Sequence, residues 1–171
     1  LIYGGNGGDS LSGAGSNDTM FGGQGVDSLS GGSNNDLLYG GDDADLIYGD
    51  ANADTIHGDN GSDQLYGGTS NDLLYGGDDG DSVYGGANAD TMFGGNGNDL
   101  LAGGDGVDLI ALGSGSDTAF GSFAELYGDK ISDFDTSFGS DVDRIVMDTI
   151  FGSDTRAAFT ATNDFIDLDG D

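Results

Sequence analysis

Residues 70–81 read S-N-D-L-L-Y-G-G-D-D-G-D, and nearly the same string, N-N-D-L-L-Y-G-G-D-D-A-D, stands at 34–45. Each crowds four carboxylates into ten residues with no basic residue nearby. Asp72 and Asp81 are nine apart, and that interval runs on in both directions. It passes through Asp9, Asp18, Asp27, Asp36, Asp45, Asp54, Asp63, Asp72, Asp81, Asp90, Asp99, Asp108 and Asp117 without one insertion. In this frame the unit is Gly-Gly-x-(Gly/Asn/Asp/Ser)-x-Asp-x-(aliphatic)-x. Its eighth position reads Leu11, Met20, Leu29, Leu38, Ile47, Ile56, Leu65, Leu74, Val83, Met92, Leu101, Ile110, Ala119, and Ile2 fills the same place in an incomplete unit before them.

A fixed short period means a stacked architecture in which each unit buries its apolar residue only against its neighbours. The three residues around each aliphatic are expected to form a short strand, aliphatic inward and its neighbours outward. The six Gly-rich residues are expected to form the turn. Two units then make one 18-residue coil, so odd-numbered units stack on one side and even-numbered units on the other. Strands stacked this way lie about 4.8 Å apart, which brings the aspartates of adjacent coils together.

The composition fits no ordinary globular domain. The chain has 171 residues with 32 Asp plus Glu against 3 Lys plus Arg, a net charge of −29. The basic residues are Lys130, Arg144 and Arg156, so 1–129 has no internal counter-charge. Nucleic acid is excluded as a natural partner, because phosphate recognition needs Lys and Arg. There are no Cys, hence no disulfide or metal-thiolate site, and no apolar run long enough to span a membrane. The 36 Gly, with no Pro, point to many backbone positions of positive φ or close approach. No stretch reads as a signal peptide, and the opening Leu1-Ile2-Tyr3 reads as the tail of a repeat, so a fragment is expected.

Like charges placed this closely need a counter-ion. Two carboxylates about 4 Å apart repel by ~1 kcal/mol in water and ~4 kcal/mol at an effective dielectric of 20. A divalent cation between them reverses the sign. Calcium accepts six to eight oxygen ligands of carboxylate and carbonyl type, whereas magnesium keeps its waters and demands tighter geometry. The nonapeptide resembles the calcium-binding repeat of the RTX (repeats-in-toxin, hemolysin-type) family over about two thirds of the chain. The resemblance implies an all-β fold, a right-handed parallel β-roll that is a calcium-stacked β-helix of 18-residue coils, with a C-terminal β-rich cap. It also implies that each calcium is held between stacked turns by the sixth-position Asp of both and by main-chain carbonyls. Asp72 then shares ions with Asp54 and Asp90, and Asp81 with Asp63 and Asp99. The carbonyl donors expected are those of Gly22, Gly31, Gly40, Gly49, Gly58, Gly67, Gly76, Gly85, Gly94 and Gly103. Seven odd and six even turns give about eleven Ca²⁺ sites.

Departures from the unit are systematic. Position 4 is Ser16, Asn34, Asp43, Asn52, Ser70, Asp79 or Asn88 in place of Gly, and Asn and Asp tolerate left-handed backbone. Ala14, Asp50 and Asp59 replace the second Gly and Leu112 the first, so weaker turns are expected there. A 36-residue super-period, two whole coils, overlies the nine. On the even side, position 9 reads Tyr3, Phe21, Tyr39, His57, Tyr75, Phe93, beside a Leu/Thr row at position 7. Such a ladder stabilises a parallel sheet by cross-strand stacking, and Phe21, Tyr39, His57, Tyr75 and Phe93 also make a candidate contact face for a neighbouring domain, a partner or a sugar.

The nonapeptide ends near Phe120, which divides the chain into a β-roll at 1–120 and a C-terminal capping region at 121–171, expected to be truncated. G-D-K-I-S-D-F-D at 128–135 and D-V-D-R-I-V-M at 141–147 resemble the segment that closes the roll in serralysin-type metalloproteases and alginate epimerases. Asp129, Ile131, Asp133, Phe134, Asp143 and Ile145 match that pattern, and Val146-Met147 depart from it. The closing D-F-I-D-L-D-G-D resembles the start of another calcium loop. A single His, His57, cannot supply a zinc-protease site, and no nucleophile motif accompanies it, so no catalytic residue is expected in this stretch. The family resemblance implies a secreted, extracellular or cell-surface protein. It also implies export by a type I secretion apparatus and folding on calcium outside the cell. Two other readings stand beside it: a binding or adhesin module using the aromatic ladder, and the non-catalytic C-terminal domain of a secreted hydrolase.

Overall fold

The computed structural model describes residues 1–121, 126, 128–133, 143–147 and 165–167. Phe134 and most of the closing D-F-I-D-L-D-G-D string lie outside them. The described chain is all-β, a solenoid of parallel strands in two sheets. One sheet contains β1 (Ile2–Asn6), β3 (Thr19–Gln24), β5 (Leu37–Asp42), β7 (Thr55–Asn60), β9 (Leu73–Asp78), β11 (Thr91–Asn96), β13 (Leu109–Ser114), β15 (Lys130–Ser132) and β17 (Phe165–Asp167), in that order. The other contains β2 (Ser10–Ser12), β4 (Ser28–Ser33), β6 (Leu46–Ala51), β8 (Gln64–Thr69), β10 (Ser82–Ala87), β12 (Leu100–Asp105), β14 (Thr118–Gly121) and β16 (Arg144–Met147). Each strand pairs with the strand two further on, and through the repeats the register is 18 residues, as in Leu38↔Ile56 and Ile56↔Leu74. The 18-residue coil read from the period is therefore the coil observed. Among the described residues only β17 runs antiparallel, against β15.

The strands are longer than the expected three residues. Most contain six and continue through positions 1–3 of the next unit, so that Gly41↔Asp59 and Asp42↔Asn60 extend the pairing begun by Leu38↔Ile56 and Tyr39↔His57. The reason lies at position 2, where Gly41 takes φ 118° and Asp59 φ 75°. The chain turns there, but neighbouring coils turn identically, so their backbones stay in hydrogen-bonding register.

Burial alternates along each strand, with positions 8 and 1 inward and positions 7 and 9 half-exposed. Every eighth-position side chain from Met20 to Ala119 is fully buried in one continuous column. Leu112, which takes the first Gly's place, joins that core, and Ile2 and Leu11 pack on it partly buried. Outside, the rings of Tyr3, Phe21, Tyr39, His57, Tyr75 and Phe93 stack face to face at 4.6–5.0 Å. A second stack, Tyr48–Tyr66–Tyr84, stands on the other sheet at 4.9 Å.

Candidate metal centre

The sixth-position aspartates point into the wall of the solenoid at the turns. From Asp27 to Asp117 they are at most 3 % exposed. One carboxylate oxygen has a regular partner one coil back: the Asp54 N–H donates to Asp72 Oδ1 at 2.8 Å, and the Asp72 N–H to Asp90 Oδ1 at 2.8 Å. The opposite row does the same, through Asp63 to Asp81 and Asp81 to Asp99. The two aspartates of the opening string thus belong to separate columns. The step that joins each column is 18 residues, not nine.

The second oxygen differs. Oδ2 of Asp9, Asp27, Asp36, Asp45, Asp54, Asp63, Asp72, Asp81, Asp90, Asp99 and Asp108 is buried and has no hydrogen-bond partner. An unpartnered buried oxygen of a carboxylate is costly, and native proteins leave few of them. A main-chain carbonyl lies close by. A methyl group placed on Gly49 would sit 2.6 Å from Asp54 Oδ2 and 2.6 Å from the Gly67 carbonyl oxygen of the next coil. The carbonyls of Gly22, Gly31, Gly40, Gly49, Gly58, Gly67, Gly76, Gly85, Gly94 and Gly103 all stand in this relation to the aspartate of the preceding coil. The Leu112 carbonyl takes the same place beside Asp99, so replacing that Gly by Leu keeps the carbonyl in position.

Burial dominates the electrostatics. It pushes the carboxyls of Asp45, Asp54, Asp81 and Asp90 up to about 7, and those of Asp63, Asp72 and Asp99 up to about 6. The backbone N–H donated to each one opposes this shift, and like charges in adjacent coils add to it for most. Burial therefore disfavours the charged form of these groups near neutral pH, and a counter-ion would favour it. Among the described residues no three acidic or histidine side chains converge on one point, so a cation would draw its remaining ligands from the backbone. Oxygen donors alone, carboxylate and carbonyl together, suit calcium and leave no place for a metal that prefers nitrogen or sulfur.

The residues off the consensus resolve differently. Asp43 and Asp79 are exposed, with φ of 77° and 73°. All seven position-4 replacements, and Ala14, Asp50 and Asp59 at position 2, carry positive φ. They accept the left-handed backbone that Gly provides elsewhere. His57 stands between Tyr39 and Tyr75 in the ring stack and faces no acidic column; burial lowers the pKa of its imidazole.

The period missed two members of the aspartate columns. The Asp108 N–H donates to Asp129 Oδ1 at 2.9 Å, and the Asp117 N–H to Asp143 Oδ1 at 3.0 Å. The signal was present in D-K-I-S and D-R-I-V, each an Asp-x-aliphatic-x quartet. Steps of 21 and 26 residues hide them from a search at nine.

No curated protein and no solved structure matches the chain. A family model described as the RTX calcium-binding nonapeptide repeat matches residues 1–29, 21–56, 30–65, 57–92 and 84–119. Those matches cover more than half of the sequence in the frame that the aspartate columns define, and the chain belongs to the RTX family of calcium-binding nonapeptide-repeat proteins.

Proposed function

We propose that this chain is the calcium-dependent folding module of a secreted bacterial protein. One observation carries the reading: the rows of buried carboxylate oxygens without a partner, which up to Asp99 stand beside a carbonyl of the next coil. The ligands are Asp9 through Asp117 at steps of nine, with the first-position carbonyls, and the ions lie between coils at about eleven sites. Without the ion, the coils must bring together buried carboxylates in a segment of 129 residues that has no positive side chain. With it, each coil is joined to the next through charge-assisted oxygen contacts, and the free energy of binding becomes free energy of folding. Low calcium inside the cell keeps the chain unfolded for passage through a type I secretion apparatus, and high calcium outside folds it. The folded roll then stabilises the parent protein at the cell surface or in the medium, with residues 121–171 closing the array.

The ring stack supports a structural part for the aromatic residues rather than an adhesin. Tyr39 is covered on both faces, by Phe21 at 4.9 Å and by His57 at 4.7 Å, so a sugar meets ring edges and not the flat faces on which it stacks. The part of this protein held in the roll is a calcium-binding scaffold. Any chemistry of the parent would need residues of another kind.

Far-ultraviolet circular dichroism during a calcium titration tests the proposal. A disordered spectrum in chelator should convert to a β spectrum as calcium rises, whereas magnesium at the same concentration should not convert it. A β spectrum that persists in excess chelator at neutral pH overturns the reading.

A further inference from the structure

The aspartate column does not stop where the nonapeptide stops. Around Asp129 four features of a repeat rung recur, although the step from Asp108 has three residues more than a coil of 18 and the Asp129 N–H turns to the Leu126 carbonyl. The Lys130 N–H donates to the Asp108 carbonyl at 2.8 Å, as the Thr118 N–H does to the Asp99 carbonyl. Ile131 pairs with Ile110 and is fully buried in the eighth-position column. Asp129 itself is 0 % exposed, and its Oδ2 is buried without a partner, like those of the repeat. Lys130, the neighbouring cation, is exposed, as the outward seventh position requires. The buried carboxylate therefore shares the Oδ1 acceptor, the unpartnered Oδ2 and the inward aliphatic neighbour of a repeat aspartate.

We propose that Asp129 is a calcium ligand outside the nonapeptide array, forming one more site between its own coil and that of Asp108. The proposal rests on the reading of the aspartate columns as calcium sites. The ligand class is a hard divalent cation, calcium before magnesium, because the donors are oxygens held in a wall that cannot contract to an octahedron. The consequence is that the ion stack extends into the segment that closes the roll, so calcium fastens the cap to the array directly.

The test counts calcium bound to the full chain at saturation, by equilibrium dialysis and elemental analysis, for the wild type, Asp90→Asn and Asp129→Asn. Asparagine keeps an Oδ1 to accept the N–H of the preceding coil and removes the charge. Asp129→Asn is expected to bind about one calcium fewer per chain while keeping its β spectrum, and Asp90→Asn to lose calcium as well. An unchanged count for Asp129→Asn with a loss for Asp90→Asn overturns the Asp129 site and leaves the stack standing. No loss in either variant overturns the stack itself. Should Asp129→Asn fail to regain a β spectrum, the carboxyl-carbon resonance of Asp129 in the wild-type chain decides. A resonance that moves with added calcium supports the site, and one that stays in place overturns it.

Discussion

At the scale of the residue, the two glycines of the unit serve different ends. The first points inward beside the aspartate, and the second supplies a left-handed turn. The second is replaced by Ala or Asp at Ala14, Asp50 and Asp59, each of which takes the left-handed backbone that glycine provides elsewhere. Where the first position is glycine in mid-array, an added methyl group has no space, although Leu112 is accommodated there near the end of the repeats. Gly49→Ala would set its Cβ 2.6 Å from both Asp54 Oδ2 and the Gly67 carbonyl, and that carbonyl cannot move without disturbing the next coil. We expect this variant to lose about 1–3 kcal/mol, as overpacking does, and to need several-fold more calcium to fold. Gly15→Ala is the control, since nothing lies within 4 Å of its added methyl and its φ is not positive. It should stay within about 0.5 kcal/mol of the wild type. Equal calcium midpoints for the two variants would show that the space beside the carboxylate is not a tight ligand cradle. These roles were only half legible in the sequence. Positive φ at position 4 was readable from Asn34, Asp43 and Asn88, whereas the inward direction of the first glycine leaves no side chain to announce it.

At the scale of the element, the coil length and the inward column were open to reading because one aliphatic in nine has no other plausible place than the core. Strand length was not, because the pairing of Gly41 with Asp59 and of Asp42 with Asn60 rests on backbone repetition and not on side-chain pattern. The shorter stack of Tyr48, Tyr66 and Tyr84 was visible at position 9 of the odd units, but the serines at Ser12 and Ser30 begin that row and obscure it. Ring stacking in register adds about 0.5–1.5 kcal/mol per pair beyond buried area. Tyr39 has two ring neighbours, and Tyr3 has one, with 66 % of its surface exposed. Tyr39→Ala should therefore cost about 1–3 kcal/mol and Tyr3→Ala less than half as much, measured as shifts in the urea midpoint at saturating calcium. Position along the solenoid adds to the difference, because each coil contacts only its neighbours and a weak coil in the middle divides the array. Equal shifts for both variants would mean that the stack is incidental to stability.

At the scale of the whole molecule, the dominant fact is a net charge of −29 with its most buried members in two columns. The sequence made those columns legible up to Asp117, and the change of step to 21 and 26 residues concealed Asp129 and Asp143. On the proposed assignment protons and calcium compete for the same oxygens, which gives a pH dependence of definite sign. An aspartate in the unfolded chain titrates near 3.8, while burial raises Asp54, Asp81 and Asp90 to about 7 in the metal-free coil. Between those values the metal-free coil holds protons that the unfolded chain has released. Its stability is then fully present below about 3.8 and is lost as pH rises through 6 to 7. In the absence of calcium, acidification from pH 8 to pH 5 should therefore increase β structure, a proton on each buried carboxyl standing in for part of the missing ion's charge. Calcium binding runs the other way, since it needs the carboxylates ionised, and the calcium midpoint should climb as pH falls from 7.5 to 5. Circular dichroism of the metal-free chain across this range, with calcium titrations at each end, reads both arms. A metal-free chain as disordered at pH 5 as at pH 8 would mean that repulsion and desolvation of these aspartates are not what holds it open.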